Sequence, residues 1–449
     1  MRAALVAVFL LLPWPVFGET LTLEQCVRIA VDQATAVLQA ENRYKLTATE
    51  VLRSYGSFLP NLNVGASYGY QSGNTLYTIE GLSVVNARGQ NATLTVSSAL
   101  NLFNGFADYS GLKASLAEQS AREYSLEWAK EQVALDITQT FLQVVLDEQL
   151  LDIARKNLEA SQARLKLLQG ETRVGTSSIA DLYRQEAQTS ADTFAVSSSE
   201  ARFKVDRVLL VRKLRIDAEK SYEIKTPLLE AAESDLFTRP VHELAAGALN
   251  TRSDVQSSER QVESSDWTVT QKRSGYLPTL DLEFSRTAAG SYLSRDTANG
   301  VNYLTTTQPA LIPQLGNQVE YTVGLFLSWN LFDRFTTRLA VEQARTDLEN
   351  ARIARDDSRF QLEADIRAAR VRYEAALEQL RSAREGLASA VKSYEAAEGM
   401  YEVGSASIVD VLTAQAALVQ ARSNLAQASI NLKLQEKTVY FSVGRLQNG

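Results

Sequence analysis

A set of short motifs occurs twice in this sequence, in the same order. The motifs, each with its second occurrence, are Phe58-Leu59-Pro60 with Tyr276-Leu277-Pro278, Asn101-Leu102-Phe103 with Asn330-Leu331-Phe332, and Val174-Gly175 with Val403-Gly404. Internal self-similarity of this kind indicates two copies of one structural unit. We therefore predict a first repeat over 19–226, a linker over 227–240 and a second repeat over 241–449.

Each repeat contains a segment that predicts a very long helix. Proline is absent from 61–226, and both 104–169 and 333–401 are rich in Ala, Leu, Gln, Glu, Arg and Lys. These residues favour helix, and about 66 of them would form a helix roughly 100 Å long. The long helices should return as helical hairpins, and shorter helices should precede them. The predicted ranges are about 105–217 and about 334–445 for the hairpins, and 23–55 and 242–272 for the shorter helices.

Apolar residues recur every seven positions along the returning half of each hairpin. In the second repeat the series is Val411, Leu418, Leu425, Leu432 and Val439. A sustained spacing of seven favours helices that pack as coiled coils. In the matching series of the first repeat, Thr189 is the one polar residue.

Between the Leu-Pro and Asn-Leu-Phe motifs the hydrophobic period changes to two, which predicts β-hairpins over about 60–103 and about 278–332. Loops are expected near 71–89 and 289–318. Alternation over about ten residues is typical of membrane strands with lipid on one face and water on the other. With the apolar face in lipid, the acidic residues that face the lumen would be Asp281, Glu283 and Glu320.

Four strands per chain are too few to close a membrane barrel, because the smallest outer-membrane barrels have eight. Unpaired strand edges are not tolerated in lipid. Several chains should therefore share one barrel, and two copies would give eight strands while three would give twelve. The alternative is an ordinary soluble sheet packed on the helices.

The first residues predict a cleaved signal peptide over 1–18. Arg2 gives a positive start, Ala3 to Leu12 is a short apolar run, and small residues precede Glu19. The alternative is an N-terminal membrane anchor. The residues before Cys26 lack the pattern of a lipid-attachment site, so the protein is expected not to be lipidated.

Composition argues against several classes of function. The formal net charge of −7 disfavours a nucleic-acid-binding protein, which would carry a basic face. His242 is the only histidine, so a zinc motif built on paired histidines is absent, and no Gly-rich phosphate loop follows a predicted strand. We predict no enzyme activity, no cofactor and no metal site.

The repeated motifs resemble those of the TolC outer-membrane factor family: Leu-Pro before each first strand, Asn-Leu-Phe after each second strand, and Val-Gly followed by Ile-x-Asp at each helical turn. The resemblance implies a mixed α+β membrane protein. Three chains would form a twelve-strand β-barrel, four strands from each, continued by a long α-helical coiled-coil tunnel. This homotrimer would lie in the lipid of the outer membrane and span into the periplasm.

The resemblance also implies a function. The chain would be the exit duct of a tripartite efflux or type I secretion system and would conduct substrates passively. Its partners would be a periplasmic adaptor protein and an inner-membrane pump of the RND, ABC or MFS type. Two alternatives remain open, a periplasmic adaptor with a long helical hairpin and a trimeric coiled-coil surface adhesin.

At the helical turns the resemblance implies an iris-like periplasmic gate. Asp181 and Asp410 match carboxylates that ring the tunnel entrance, and Tyr401 matches a tyrosine that hydrogen-bonds to the aspartate of the other repeat, here Asp181. Ala406 and Thr413 depart from the family pattern, because some members have an arginine and a second aspartate there. The tip residues expected to dock the adaptor are Val174, Gly175, Thr176, Val403, Gly404 and Ser405.

The two aspartates also have a structural interpretation. Ser178 precedes Asp181 by three residues, and Ser407 precedes Asp410 by the same spacing. This is the spacing of a helix capping box, and an acid in the first turn is stabilised by the helix dipole. The two interpretations are compatible, because a cap on an inward-facing helix start also contributes to a ring.

Overall fold

The computed structural model of the chain describes residues 19–76, 84–217, 220, 222–225, 239–295 and 309–445. The predicted signal peptide, nearly all of the predicted linker and the middle of each predicted outer loop lie outside these residues. The elements, in chain order, are β1 (Glu19–Leu21), α1 (Leu23–Gln33), α2 (Thr35–Gly56), β2 (Asn63–Leu76), β3 (Val84–Phe103), α3 (Ala107–Val174), α4 (Ile179–Leu214), β4 (Tyr222–Ile224), α5 (Val241–Ala248), α6 (Ser253–Arg273), β5 (Thr279–Arg295), α7 (Leu311–Asn317), β6 (Val319–Ser328), α8 (Thr336–Glu402) and α9 (Ile408–Ser442).

The two predicted long helices are α3, with 68 residues, and α8, with 67 residues. Each turns back as a second helix, α4 or α9. The seven-residue series on α9 packs as expected, since Val411, Leu418, Leu432 and Val439 are buried. No helix in the described part of the chain is long and apolar enough to cross a membrane.

The first short helix is interrupted, which the sequence did not predict. Ala34 has extended backbone angles (φ −61°, ψ 137°) and separates α1 from α2. The break frees backbone carbonyls, and Arg215 Nη1 donates a hydrogen bond of 3.2 Å to the carbonyl of Gln33. A capping box forms at the start of α1, where the side chains of Thr22 and Gln25 each accept from the other's backbone N–H.

The second short helix is also interrupted, between α5 and α6, where Arg252 is only 1% exposed. Its guanidinium donates to Asp254 (2.9 and 2.5 Å) and to Asp365 (2.9 Å). The same group lies 4.8 Å from the ring centre of Trp128. Burial alone would lower the pKa of Arg252, but the bonds and charges of the two aspartates raise it. This buried ion-pair cluster lies at the break between α5 and α6.

The four long strands form one antiparallel sheet in the order β2-β3-β5-β6. Because side chains alternate between faces, the register separates a polar from an apolar face. The polar face includes Ser67, Thr95, Asn101, Asp281, Glu283, Glu320 and Thr322, and the apolar face includes Val64, Tyr68, Val96, Leu282, Phe284, Val323 and Leu325. Phe326, the exception in the alternation, lies opposite Asp281 on the polar face.

The hairpin ends differ from the prediction in two ways. The loops predicted near 71–89 and 289–318 are shorter, because β2, β3 and β5 continue into them and α7 folds there. Gln314 on α7 holds this arrangement, since its side chain accepts from the Ser291 N–H (3.0 Å) and donates to the Pro309 carbonyl (2.8 Å). At the other end β6 stops at Ser328, where the Trp329 indole donates to the Tyr276 carbonyl (3.2 Å) instead.

The chain divides into two compact units. One comprises 1–43, 123–257 and 356–449, and the other comprises 44–122 and 258–355. Each unit contains parts of both repeats, so the units do not follow the repeat boundaries. The first unit has a core of fully buried residues on α1, α3 and α4, among them Cys26, Phe141, Val144, Leu210 and Leu214. The second unit contains the four-strand sheet.

The first unit also buries an aspartate, Asp147, beside a second one, Asp206, that is only partly buried. Asp147 on α3 is 5% exposed, and Gln143 Nε2 donates to its Oδ1 at 3.2 Å. Burial raises the pKa of Asp147 to about 6, assisted by a hydrogen bond and the charge of Asp206 and opposed by Arg202. Because the folded chain binds this proton more tightly than the unfolded chain, stability should fall as pH rises from about 4 to about 6.

Replacing Asp147 with asparagine should therefore stabilise the protein at pH 7.5 by about 1 kcal/mol and have little effect at pH 4. The measurement is chemical unfolding of wild type and variant at both pH values. Asp152→Asn on the same helix is the matched control, because its side chain is 58% exposed. An equal effect of Asp147→Asn at the two pH values would contradict a protonated buried acid.

Candidate functional site

The turn between α3 and α4 reverses the chain through a left-handed residue. Gly175 has φ +83°, a conformation in which glycine carries no steric penalty. Its N–H donates to the Thr172 carbonyl, and the N–H of Thr176 donates to the Glu171 carbonyl at 2.9 Å. The Thr176 hydroxyl donates to that same carbonyl at 3.1 Å, so the last carbonyls of α3 are satisfied within the turn.

The turn between α8 and α9 is closed by the same bonds. Gly404 has φ +76°, and its N–H donates to the Tyr401 carbonyl at 2.9 Å. Both the N–H and the hydroxyl of Ser405 donate to the Met400 carbonyl. Beside these turns Val174 and Val403 are 73% and 79% exposed. The six predicted tip residues thus form two matching turns, each with an exposed valine.

Asp410 caps the start of α9. The Ser407 hydroxyl accepts from the Asp410 N–H (3.4 Å), and the Asp410 carboxylate accepts from the Ser407 N–H (2.9 Å) and hydroxyl (2.7 Å). These bonds from Ser407 lower the pKa of Asp410. The capping interpretation of Asp410 is therefore confirmed. The carboxylate is also on the exposed side of the helix start, where it stays ionised.

Asp181 differs from its counterpart. Ser178 caps α4 by accepting from the Ala180 N–H at 3.1 Å, while the Asp181 carboxylate pairs with Arg184 at 3.1 Å. The complete capping box expected at Asp181 is therefore not formed. Although it is paired with Arg184, the Asp181 carboxylate raises the pKa of Tyr401 by its charge.

Tyr401, at the end of α8, lies against the turn of the other hairpin. Burial raises the pKa of its phenol, and the charges of Glu171 and Asp181 raise it further. The nearby Ser177 side chain opposes this rise of the pKa, and the hydrogen bond with Asp181 that the resemblance implied stays a prediction. The structure thus brings Tyr401 of one hairpin close to Asp181 and Ser177 of the other.

The two positions that depart from the family pattern contribute no bond between the hairpins. Ala406 has no polar side chain. The Thr413 hydroxyl donates to the Val409 carbonyl of its own helix at 2.7 Å. Any further connection between the two hairpins must therefore come from other residues.

Arg164, on α3, supplies that connection. Its guanidinium donates to Glu398 (2.7 Å) and to the Tyr394 hydroxyl (2.9 Å) on α8, and to Gln415 (2.9 Å) on α9. Tyr394 also donates to Glu398 at 2.9 Å. The Arg164 side chain is 13% exposed, so these charge-assisted bonds form in a partly desolvated place where they are strong. Burial raises the pKa of Tyr394, which stays protonated as a donor.

The bonds continue from α9 to α4. Gln415 Nε2 donates to Asn157 on α3 (2.8 Å), whose side chain donates to Asp192 on α4 (2.9 Å). Nearby, Ser161 and Thr189 share a hydrogen bond of 3.0 Å. We call this set of hydrogen-bonded side chains the four-helix polar network. Its members are Asn157, Ser161, Arg164, Gln185, Gln188, Thr189, Asp192, Tyr394, Glu398 and Gln415. It joins the hairpin of the first repeat to the hairpin of the second.

This network was not predicted, although the sequence contains one indication of it. Thr189 interrupts an otherwise apolar series, and in the structure it is buried and bonded to Ser161 and Gln185. A polar residue at a packing position of a coiled coil signals a buried polar partner. The identity of that partner could not be predicted, because Arg164 and Gln415 are 251 residues apart in the sequence.

The acidic residues predicted to face a lumen all lie on the polar face of the sheet. Asp281 accepts a hydrogen bond of 2.8 Å from Asn101 on the neighbouring strand. Glu283 is opposite Ala99 on β3 and Gly324 on β6, and the Phe326 ring lies over Gly324. Together with Glu320 these residues give the polar face a negative charge.

Known proteins resemble this chain in sequence and in fold. Residues 244–445 match the family described as Outer membrane efflux protein. The chain is 25% identical over 398 residues to outer membrane protein TolC of Escherichia coli (strain K12), covering 86% of this chain and 75% of that protein. It is 22% identical over 356 residues to outer membrane efflux protein BepC of Brucella suis biovar 1 (strain 1330), covering 79% and 73%. Its fold matches the Campylobacter jejuni CmeC outer membrane channel with a TM-score of 0.78 at 16% sequence identity, covering 94% of this chain and 86% of that one.

These similarities confirm the resemblance inferred from the repeated motifs. They extend over most of the chain and agree with the four-strand sheet and the two long helical hairpins. The relatives are named as outer-membrane proteins, and the matching structure is an outer-membrane channel. Residues 244–445 thus match the outer membrane efflux protein family, and the chain as a whole is similar in sequence to TolC and BepC and in fold to CmeC.

Proposed function

We propose that this chain is the outer-membrane exit duct of an efflux or secretion system. The observation that carries this function is the four-strand sheet, in which one face is polar and acidic and the other is apolar. A membrane strand needs that division, with lipid outside and a wet passage inside. Transport through such a passage needs no chemical step by the protein.

The same sheet supports assembly with further copies. In the order β2-β3-β5-β6 the outer strands are β2 and β6, and each leaves one edge unpaired. Such an edge costs several kcal/mol per unsatisfied group in lipid, so β2 of one copy should pair with β6 of the next. We propose a homotrimer, in which twelve strands close the barrel.

The tips support the docking of a periplasmic adaptor. Val174 and Val403 expose apolar side chains beside turns that are closed by backbone hydrogen bonds. Small exposed apolar side chains of this kind can pack against the helical tip of a partner. The adaptor would connect the duct to an inner-membrane pump of the RND, ABC or MFS type. The alternatives fit less well, because an adaptor has a single hairpin and an adhesin carries its strands at the C-terminus.

We further propose that the helical turns form the gate. Asp410 would contribute to a ring of negative charge at the entrance in the trimer, favouring cations. Tyr401 and the four-helix polar network would keep the hairpins of one chain together. Opening would then require the hairpins to part.

The gate is tested by conductance of the purified trimer in planar bilayers. Asp410→Asn should reduce the preference for K⁺ over Cl⁻ about twofold to fivefold, because three charges are removed from one ring. Tyr401→Phe, which removes only the hydroxyl that lies near Ser177 and Asp181, should raise the resting conductance modestly. Unchanged leak and unchanged cation preference in both variants would show that the gate lies elsewhere, while pore formation by the wild type would still support the duct.

A further inference from the structure

Arg286 is a cation on the apolar face of the sheet. It lies on β5, in the same alternating series as Leu282 and Phe284. Its cross-strand neighbours are Val96 on β3 and Tyr321 on β6. A charged side chain on the lipid face of a membrane strand costs about 2–4 kcal/mol at the midplane. The guanidinium at this position therefore needs a partner of opposite charge, or its side chain must extend to the polar headgroup layer.

The described part of the chain gives Arg286 no carboxylate partner. Its guanidinium carbon lies 5.9 Å from the centre of the Tyr321 ring. The acidic residues of the sheet, Asp281, Glu283 and Glu320, point to the opposite face. All five N–H donors of the guanidinium are thus available to an external anion.

The position in the sheet excludes a second copy as the source of that anion. β5 is an inner strand, paired with β3 on one side and β6 on the other. A neighbouring copy would pair with β2 or β6 and would not reach this face of β5, which α7 contacts at Gly290, four residues further along the strand. What covers the apolar face of an inner strand in a membrane is lipid.

The height of Arg286 on the strand points to the outer leaflet. It follows Thr279, the first residue of β5 on the helix-bearing side, by seven residues, which is about 23 Å along a strand. With the usual strand tilt this corresponds to about 18 Å of rise in an apolar band about 25 Å tall. Arg286 can therefore reach the outer headgroups by extending its side chain, and Tyr321 suits the aromatic girdle there.

We propose that Arg286 and Tyr321 bind a phosphate group of a phosphorylated glycolipid in the outer leaflet of the membrane. This inference rests on the proposed function, which places the sheet in the outer membrane. The guanidinium presents two parallel N–H groups to phosphate oxygens, and the Tyr321 hydroxyl, 65% exposed as a residue, adds a donor. One site per chain gives three on the trimer.

The test is native mass spectrometry of the purified full-length trimer titrated with lipid A. Arg286→Gln should weaken lipid A binding about fivefold, as expected for one cation at an anionic headgroup, and Arg286→Lys should retain part of the affinity. Glu283→Gln is the matched control on the opposite face of the same strand and should not weaken binding. A second titration uses phosphatidylglycerol, which carries a phosphate but belongs to the phospholipids.

Equal lipid A affinity in wild type and Arg286→Gln would overturn the site. Equal competition by phosphatidylglycerol would overturn its assignment to the glycolipid. Conductance of the wild-type trimer, measured alongside, separates the two proposals. Pores without Arg286-dependent binding would remove only the lipid site, and the absence of pores would remove the duct together with it.

Discussion

Replacing Arg164 with methionine should leave the channel open at rest. The change removes three hydrogen bonds of 2.7–2.9 Å that join α3 to α8 and α9, while methionine keeps most of the apolar stem. Hydrogen bonds to charged groups contribute about 1.5–3 kcal/mol each, and partners left buried add their own cost. A net loss of about 3 kcal/mol in the closed arrangement would raise the open fraction roughly a hundredfold.

The measurement is single-channel conductance in planar bilayers, with antibiotic influx into cells as a second readout. Arg155→Met is the matched control, because Arg155 is on the same helix, is 59% exposed and contacts Glu200 only at 3.9 Å. A resting conductance of Arg164→Met equal to that of the control would contradict the role of the four-helix polar network. If Arg164→Met conducts more while Tyr401→Phe does not, the network rather than the tyrosine holds the gate.

Replacing Arg252 with methionine should destabilise the first compact unit strongly. Arg252 is buried and bonded to Asp254 and Asp365, and it stacks on Trp128. Removing the cation leaves two carboxylates facing each other in a poorly hydrated place. Breaking a buried ion pair in this way costs about 3–5 kcal/mol, which should reduce the yield of folded trimer and lower its unfolding midpoint.

Chemical unfolding followed by circular dichroism measures this effect. Arg381→Met provides the comparison, because its side chain is 71% exposed and its contacts with Glu378 and Glu385 are 3.7–3.8 Å long. A surface pair of this kind contributes at most about 1 kcal/mol. Similar unfolding midpoints for the two variants would mean that the buried cluster contributes far less than its geometry indicates.

The large features of this fold could be predicted because they repeat along the chain. Each of these patterns repeats its spacing several times, seven residues in the series that ends at Val439 and two residues in the alternation around Val323. A single exception such as Phe326 therefore does not hide the pattern. The glycines at 175 and 404 also mark sharp turns through a local requirement, the left-handed backbone. These signals are local and therefore readable from one sequence.

The breaks in the short helices and the polar network could not be predicted, because their causes are distant in sequence. The helix is interrupted at Ala34, where Arg215 donates a hydrogen bond to the carbonyl of Gln33. No residue close to Ala34 in the sequence predicts that contact. Arg164 looks like one more surface arginine until α8 and α9 are placed beside it. At the gate the resemblance named Asp181 as the partner of Tyr401, and the charge of Asp181 does raise the pKa of that phenol, whereas the contribution of Ser177 was not predicted.

The two tips have matching hydrogen bonds, and this has a consequence for symmetry. Each chain carries two turns closed by the same pattern, with Thr176 and Ser405 in equivalent roles. Three chains around one axis would therefore present six nearly identical tips. The tip surface of the trimer would then have approximate sixfold symmetry. A partner built as a ring of six could contact every tip in the same way. The six tips would differ only further inside the entrance, where the second repeat has Tyr401 and the first repeat has Thr172 at the matching position.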